Sequence, residues 1–331
     1  MLATSVAAIV AVALIVYALF GGADFGGGVW DALASGPRKH EQRRLIASAI
    51  SPIWETNHVW LILVVVLLFV GFPMAFARLS IVLHIPLTLG LVGIVLRGSA
   101  FVFRAYGPTP ERMGGGWGTV FGVASIITPL FLGVSLGAVT AGHVVLVEGS
   151  FAERFVRPWM TPYAWAVGVF TLVLFAYLAA VYSTVVAREP ELREDFRRRA
   201  LGSAVALFVV AYAVLVLSGE LAPSLRARLA SPDALPLHAA TAGAGITAVW
   251  ALWTRRFLLA RAAAALQAVL IIGGALWAQL PWMIPPDLSI AEAAAPAITL
   301  KLVLIGLGAG SIILVPSLAY LFRVFRERGA A

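Results

Sequence analysis

Six ionisable side chains, Asp24, Glu55, His58, His84, Arg97 and Lys301, fall inside long apolar stretches of this 331-residue chain. A charge at the middle of a bilayer costs about 3 kcal/mol on insertion scales, so each of these groups needs a partner, water or a function. Glu55 and His58 stand at i, i+3 and so share one face of a helix. Asp24 lies about 10 Å before Asp31 along a helix axis, and Arg97 about 10 Å before Arg104. Carboxylates, an imidazole and a guanidinium at one depth in hydrocarbon are the ingredients of a proton relay. The plainer alternative makes Arg97 a structural counter-ion for Asp24 or Glu55 and Glu55 an interfacial acid. Lys301, one turn inside the last apolar stretch, can snorkel outward on its four-carbon stem.

The elements that must hold these groups are legible from composition. Sixty-one per cent of the residues are hydrophobic and 12% charged, against about 25% charged in a soluble domain. The expected fold is all-α, a polytopic membrane bundle of about nine helices forming a single domain over 1–331. The apolar stretches lie near 3–30, 53–77, 80–103, 117–147, 162–187, 200–218, 237–253, 262–280 and 295–322. The first has no basic segment before it and reads as a retained span. Alternate loops together with the C-terminus carry 17 Lys and Arg, and the opposite loops carry 5. The positive-inside rule then puts the N-terminus outside and the C-terminus in the cytoplasm. The basic residues are scattered through short loops, which excludes a nucleic-acid-binding face. Cysteine is absent, which removes thiolate metal sites, iron–sulfur clusters and thiol nucleophiles.

The run Gly21-Gly22-Ala23-Asp24-Phe25-Gly26-Gly27-Gly28 follows an apolar helix and not a strand, so it is no phosphate loop. Its small residues suit close helix approach, with a partner among the candidates. Taken with Ser51-Pro52-Ile53-Trp54-Glu55-Thr56-Asn57-His58-Val59-Trp60-Leu61, Phe72-Pro73-Met74 and Leu96-Arg97-Gly98-Ser99-Ala100-Phe101, it resembles subunit II of cytochrome bd quinol oxidases. These motifs lie within roughly residues 15–105; the remainder matches in length, span number and topology. The family's common pattern Asp-Gly-Phe-Asp lacks its first acid here, leaving Asp24, and Trp-Asp-Gly-Asn appears as Trp54-Glu55-Thr56-Asn57.

The resemblance implies a multi-pass protein of the bacterial plasma membrane, in contact with membrane lipid. Its partner would be a subunit I that holds two b-type haems, haem d and the quinol site, oxidises quinol and reduces oxygen to water. This chain would then carry no catalytic residue, metal or ligated haem, would pack against subunit I and support its haem pocket, and would help to carry protons from the cytoplasm. The resemblance keeps the acids Asp24 and Glu55 in the proton route, and their matching depth adds Arg97 and His58, the latter from its place on the helix and not from the family. Trp54, Trp60, Asn57, Gly22, Gly26, Gly27 and Gly28 fall to the subunit I interface or to cofactor support. A quinone bound in this subunit and a small accessory subunit are left open.

Two other readings are a secondary transporter and a stand-alone b-type cytochrome. The first needs broken helices and paired polar groups near mid-bilayer, of which the fourth to eighth stretches show almost none. The second needs histidine pairs on facing helices. His84, His143 and His238 fall at comparable depths on the other side from the acids, with no clear pairing across mid-helix faces. The folded chain freed of its partner is therefore expected to show no Soret band, and a visible spectrum of the purified chain checks this.

Overall fold

The computed structural model describes residues 1–50, 54–106 and 116–328. Its helices are α1 (Leu2–Ala32), α2 (Lys39–Ile50), α3 (Trp54–Gly71), α4 (Pro73–Val82), α5 (His84–Tyr106), α6 (Gly116–Thr140) and α7 (Phe151–Phe155), followed by α8 (Pro162–Val186), α9 (Pro190–Leu221), α10 (Pro223–Leu229), α11 (Leu235–Trp253), α12 (Phe257–Gln279), α13 (Ile290–Ala293) and α14 (Ala297–Arg328). A two-residue-deep hairpin, β1 (Trp282–Ile284) against β2 (Leu288–Ser289), joins α12 to α13. Among the described residues, eight helices are long and apolar enough to cross a bilayer, and the bent pair α3–α4 makes a ninth.

Proline and glycine place the helix ends. Pro73, Pro162, Pro190 and Pro223 each open a helix in its first turn, where the missing N–H is not needed. At Pro73 this breaks the stretch expected at 53–77: the chain turns by 116° between α3 and α4, and only the two helices together are long and apolar enough to count as a span. The Gly71 carbonyl at the break accepts the Ala295 N–H at 2.8 Å, so the broken ladder is satisfied by a different segment. The stretch expected to run to 147 stops at Thr140. Gly142 takes φ 75° and the His143 N–H reaches back to the Ala138 carbonyl, a left-handed cap. Helix α9 starts ten residues before the expected 200, at Pro190. Its first turns are too polar for a hydropathy pattern to include but helical all the same.

Ion pairs tie loops that lie at the same end of the bundle. Arg38, after α1, makes a bidentate pair with Asp195 of α9 at 2.8 and 2.7 Å, and Arg255, after α11, lies 3.6 Å from Glu194. At the opposite end, Arg78 of α4 meets Asp287 of the hairpin at 3.2 Å. Among the described residues, the loops after α1, α8 and α11, three of those counted as basic from sequence, therefore gather at one end.

Helix α8 is the hub, with every residue from Leu174 to Val181 buried. Helix α1 reaches it through glycine: a Cβ on Gly26 would run into the Phe175 carbonyl, and one on Gly22 into the Phe175 ring. Gly28 leaves room for Ser125 of α6, and Gly27 for Ile50 and Ile46 of α2. This corrects the expectation that these four glycines meet a partner subunit. Their surfaces are occupied by helices of the same chain, because α1 is internal to the bundle at this level. Gly202 in α9, by contrast, has nothing within 4 Å of a built Cβ.

Alanine at the two positions should therefore part company. Gly202→Ala should be neutral or stabilise by about 1 kcal/mol through helix propensity alone. Gly26→Ala should destabilise by about 2 kcal/mol or more, since backbone and not a flexible side chain must move. Thermal unfolding of the two variants in the intact membrane complex reads the difference, and equal melting temperatures would remove the α1–α8 contact from this account.

Candidate functional site

Two residues round a helix is a turn of about 200°, so Asp24 points away from the glycine face that Gly22 presents to α8. It faces α3 and α5. Asn57 of α3, itself buried, donates its amide N–H to Asp24 Oδ2. Arg97 of α5, 1% exposed, donates from Nη2 to the main-chain carbonyl of Asp24 at 2.9 Å. Asp24 is 6% exposed. The structure thus brings together Asp24, Asn57 and Arg97, though with different partners from those expected. Arg97 holds a carbonyl of α1 and does not pair with the Asp24 carboxylate, and Asn57, expected at an interface or in cofactor support, donates to the Asp24 carboxylate.

The Arg97 guanidinium is desolvated on aromatic faces, its Cζ 4.8 Å from the Phe25 ring centroid and 5.3 Å from that of Phe121. Such stacking replaces part of the lost hydration of a cation. His58 is half-buried next to the same cluster, its ring 6.1 Å from that of Tyr17 and 5.9 Å from that of Phe25. Tyr17 stands seven residues before Asp24 on the same face of α1, and its hydroxyl is buried without a hydrogen-bond partner among the described residues. The side chains of Trp54, Glu55 and Thr56 lie outside the described residues. The helical backbone of α3 places Glu55 in its first turn, two residues before Asn57. Trp60 is half-buried and packs against both large apolar clusters of the bundle.

A second charged contact was not singled out from sequence. Asp31 and Arg104 form a bidentate pair at 3.0 and 3.2 Å, with side chains 2% and 7% exposed. The Arg104 Cζ lies 5.1 Å from the Phe121 ring, so one phenyl group on α6 serves both arginines. The pairs 24/97 and 31/104 share an offset of 73 residues. That equality requires α1 and α5 to run in the same direction at matched depth. The signal was present in the sequence as two seven-residue spacings, Asp24 to Asp31 and Arg97 to Arg104.

Three of the histidines have definite local contacts. His84 and His238 each set a ring nitrogen against a main-chain carbonyl, 2.9 Å from Ile81 and 2.8 Å from Leu229, and His58 is wedged between rings. Among the described residues, no group of three or more His, Cys, Asp or Glu is placed to hold a metal ion. What the cluster offers is a buried acid with a neutral hydrogen-bond donor, an imidazole at its edge and a fixed positive charge beside it. Those are the parts of a site that holds or passes a proton.

Known proteins are similar to this chain in sequence and fold. The chain is 31% identical over 135 residues to the cytochrome bd-I ubiquinol oxidase subunit 2 of Escherichia coli (strain K12), covering 40% of this chain and 35% of that one. It is 30% identical over 126 residues to the cytochrome bd ubiquinol oxidase subunit 2 of Bacillus subtilis (strain 168), covering 38% and 36%. In these matches the chain spans about a third of each relative's own length. The fold superimposes on a chain from the structure of the bd oxidase of Geobacillus thermodenitrificans with a TM-score of 0.81 at 22% identity, over 98% of both chains. The profile of the cytochrome bd terminal oxidase subunit II family matches residues 2–325. With that match running across the whole bundle, this chain, a multi-pass inner-membrane protein, belongs to the cytochrome bd terminal oxidase subunit II family.

Proposed function

We propose that the chain acts as subunit II of a bd-type quinol:oxygen oxidoreductase. In this reading its 331 residues work as one membrane unit, N-terminus outside and C-terminus cytoplasmic. It packs against the subunit that holds the b-type haems and haem d, ligates no haem itself, supports the haem pocket and helps to deliver protons from the cytoplasmic side. The observation that carries the reading is the buried contact of Asp24 with Asn57 and Arg97 across α1, α3 and α5. An acid this deep has no packing purpose that an apolar residue would not serve better.

Oxygen reduction consumes protons at a buried centre, and a proton crosses hydrocarbon only along polar groups and water. On this reading Glu55, in the first turn of α3, receives protons at the basic end, and Asp24 is the next acid inward. Asn57 keeps the Asp24 carboxylate oriented through its amide N–H. Arg97 supplies a fixed positive charge without consuming the carboxylate, since its hydrogen bond goes to the carbonyl. His58 flanks the route, and Trp54 sits near its cytoplasmic mouth. Contact with the haem-bearing subunit is assigned to the outward faces of α3 and α5. Ile62 and Phe69 on α3 and Leu91 and Val95 on α5 are each 58–60% exposed and form apolar stripes at helical spacing.

Glu55→Gln in the intact oxidase should slow turnover by about tenfold or more while haem content and assembly stay normal, because shape is kept and the exchangeable proton is lost. Glu55→Asp should be milder, and Asp24→Asn should act in the same direction as Glu55→Gln. Oxygen consumption with quinol across neutral pH measures this, and wild-type rates in both amide variants would move the proton route elsewhere.

The second buried pair should behave differently. Asp31→Ala strands Arg104 in a desolvated place and should cost about 3–5 kcal/mol of stability. Replacing both, as Asp31→Ala with Arg104→Leu, should restore most of it, and the melting temperatures of the single and double variants give the comparison.

A further inference from the structure

At the basic end of the bundle a recess of about 520 Å³ opens between the end of α8, the start of α9 and the start of α12. Thr184, Val185, Arg193, Arg256 and Phe257 to Leu259 line it, two guanidiniums among mostly apolar side chains. Leu258 is 73% exposed and Leu259 40% exposed, so the apolar side faces outward from the bundle.

Both arginines are held in place without a carboxylate. Arg193 donates from Nε and Nη2 to the Ala187 carbonyl at 3.0 and 2.6 Å, and its Cζ lies 5.4 Å from the Phe257 ring. Arg256 lies with Cζ 4.9 Å from the Trp250 ring. Its position is set by a tight turn in which Arg255 takes φ 60° and the Arg256 N–H returns to the Ala251 carbonyl at 2.7 Å. A left-handed non-glycine residue costs about 1 kcal/mol, and here it presents the next side chain to the recess. The nearest acid in sequence, Glu194, is already engaged by Arg197, Arg198 and Arg255. Among the described residues neither Arg193 nor Arg256 has a carboxylate within 4.0 Å. Two fixed guanidiniums therefore line a recess whose remaining wall, Thr184 apart, is apolar and exposed at Leu258 and Leu259.

We propose that this recess binds the phosphate headgroup of an anionic phospholipid from the leaflet at the basic end, with Arg193 and Arg256 on the phosphate and the acyl chains along Val185, Leu258 and Leu259. A soluble phosphate would find the same two cations but would leave the exposed leucines without a use. The charge count and the outward apolar wall together select a lipid. The site is separate from the α1, α3 and α5 cluster, and it stands or falls independently of the proton route.

The test uses the whole oxidase complex, stripped of lipid in detergent and titrated with phosphatidylglycerol, phosphatidylcholine or inorganic phosphate. Lipid retention is read by native mass spectrometry and stabilisation by thermal unfolding. The unchanged complex should retain and be stabilised by phosphatidylglycerol and not by phosphatidylcholine. Arg256→Gln should weaken that binding about fivefold, the effect of one basic residue near a charged lipid surface. Leu258→Ser, which leaves both cations in place, should weaken it too. Equal retention of phosphatidylglycerol by the wild type and Arg256→Gln overturns the site. Competition by inorganic phosphate with no effect of Leu258→Ser makes it an anion site without a lipid, which also overturns the proposal.

Discussion

The approach of α1 to α8 at Gly22 and Gly26 is the contact on which the other arrangements rest. Where a Cβ would strike the Phe175 backbone, only glycine lets the two helices meet, and the rotation of α1 about its axis is fixed by that meeting. Once the glycine face is against α8, the geometry of 3.6 residues per turn leaves no choice for the rest. Asp24, Asp31 and Tyr17 must lie on the opposite side, towards α3 and α5, and Gly28 must accommodate Ser125 of α6. In a membrane, where apolar side chains gain little by leaving lipid, such close backbone packing is a main source of helix association. The site is polar on one side of α1 because the other side is packed too tightly to hold anything but glycine.

The buried charges follow a consistent logic within that frame. A guanidinium in hydrocarbon has to be matched by acceptors or aromatic faces, and both arginines of α5 use both. Arg104 takes a carboxylate, Asp31, and the edge of the bundle is the place for such a closed pair. Arg97, one heptad deeper, takes a carbonyl and two phenyl rings and leaves the Asp24 carboxylate to an amide. A closed salt bridge ties Arg104 to a single acid, whereas the Asp24 carboxylate, beside a cation bonded elsewhere, is held by an amide N–H. Phe121 couples the two levels, because its ring is shared.

The ends of the helices show the same requirement that no backbone group go unpaired in lipid. Prolines open helices where the first N–H groups lack partners in any case. The break at Phe72 and Pro73 frees a carbonyl that the segment before α14 then satisfies. Capping boxes at Ser150 with Glu153 and at Ser289 with Glu292 close the short helices α7 and α13, and their hydrogen bonds from serine hold both carboxyls below the usual carboxylate range. These short elements were invisible to a hydropathy pattern, since they lie between spans and are too short to carry a period.

The sequence by itself determined the class of protein and its apolar stretches, and it singled out Asp24 and Arg97, though not the pair of Asp31 with Arg104. Each of those depends on local quantities: about 20 apolar residues to cross a bilayer, and a cost for every charge within them. It also contained the matched spacings of Asp24 with Asp31 and Arg97 with Arg104, which set two helices in register once they are known to be neighbours. What it could not determine is which atom each polar group serves. That Arg97 bonds the Asp24 carbonyl, that Asn57 takes the carboxylate, and that four glycines face helices of their own chain are decided by how α1 is rotated against α8. Rotation and neighbour choice are set jointly by contacts among residues far apart in the chain, such as Gly26 with Phe175, so no local window of sequence contains them.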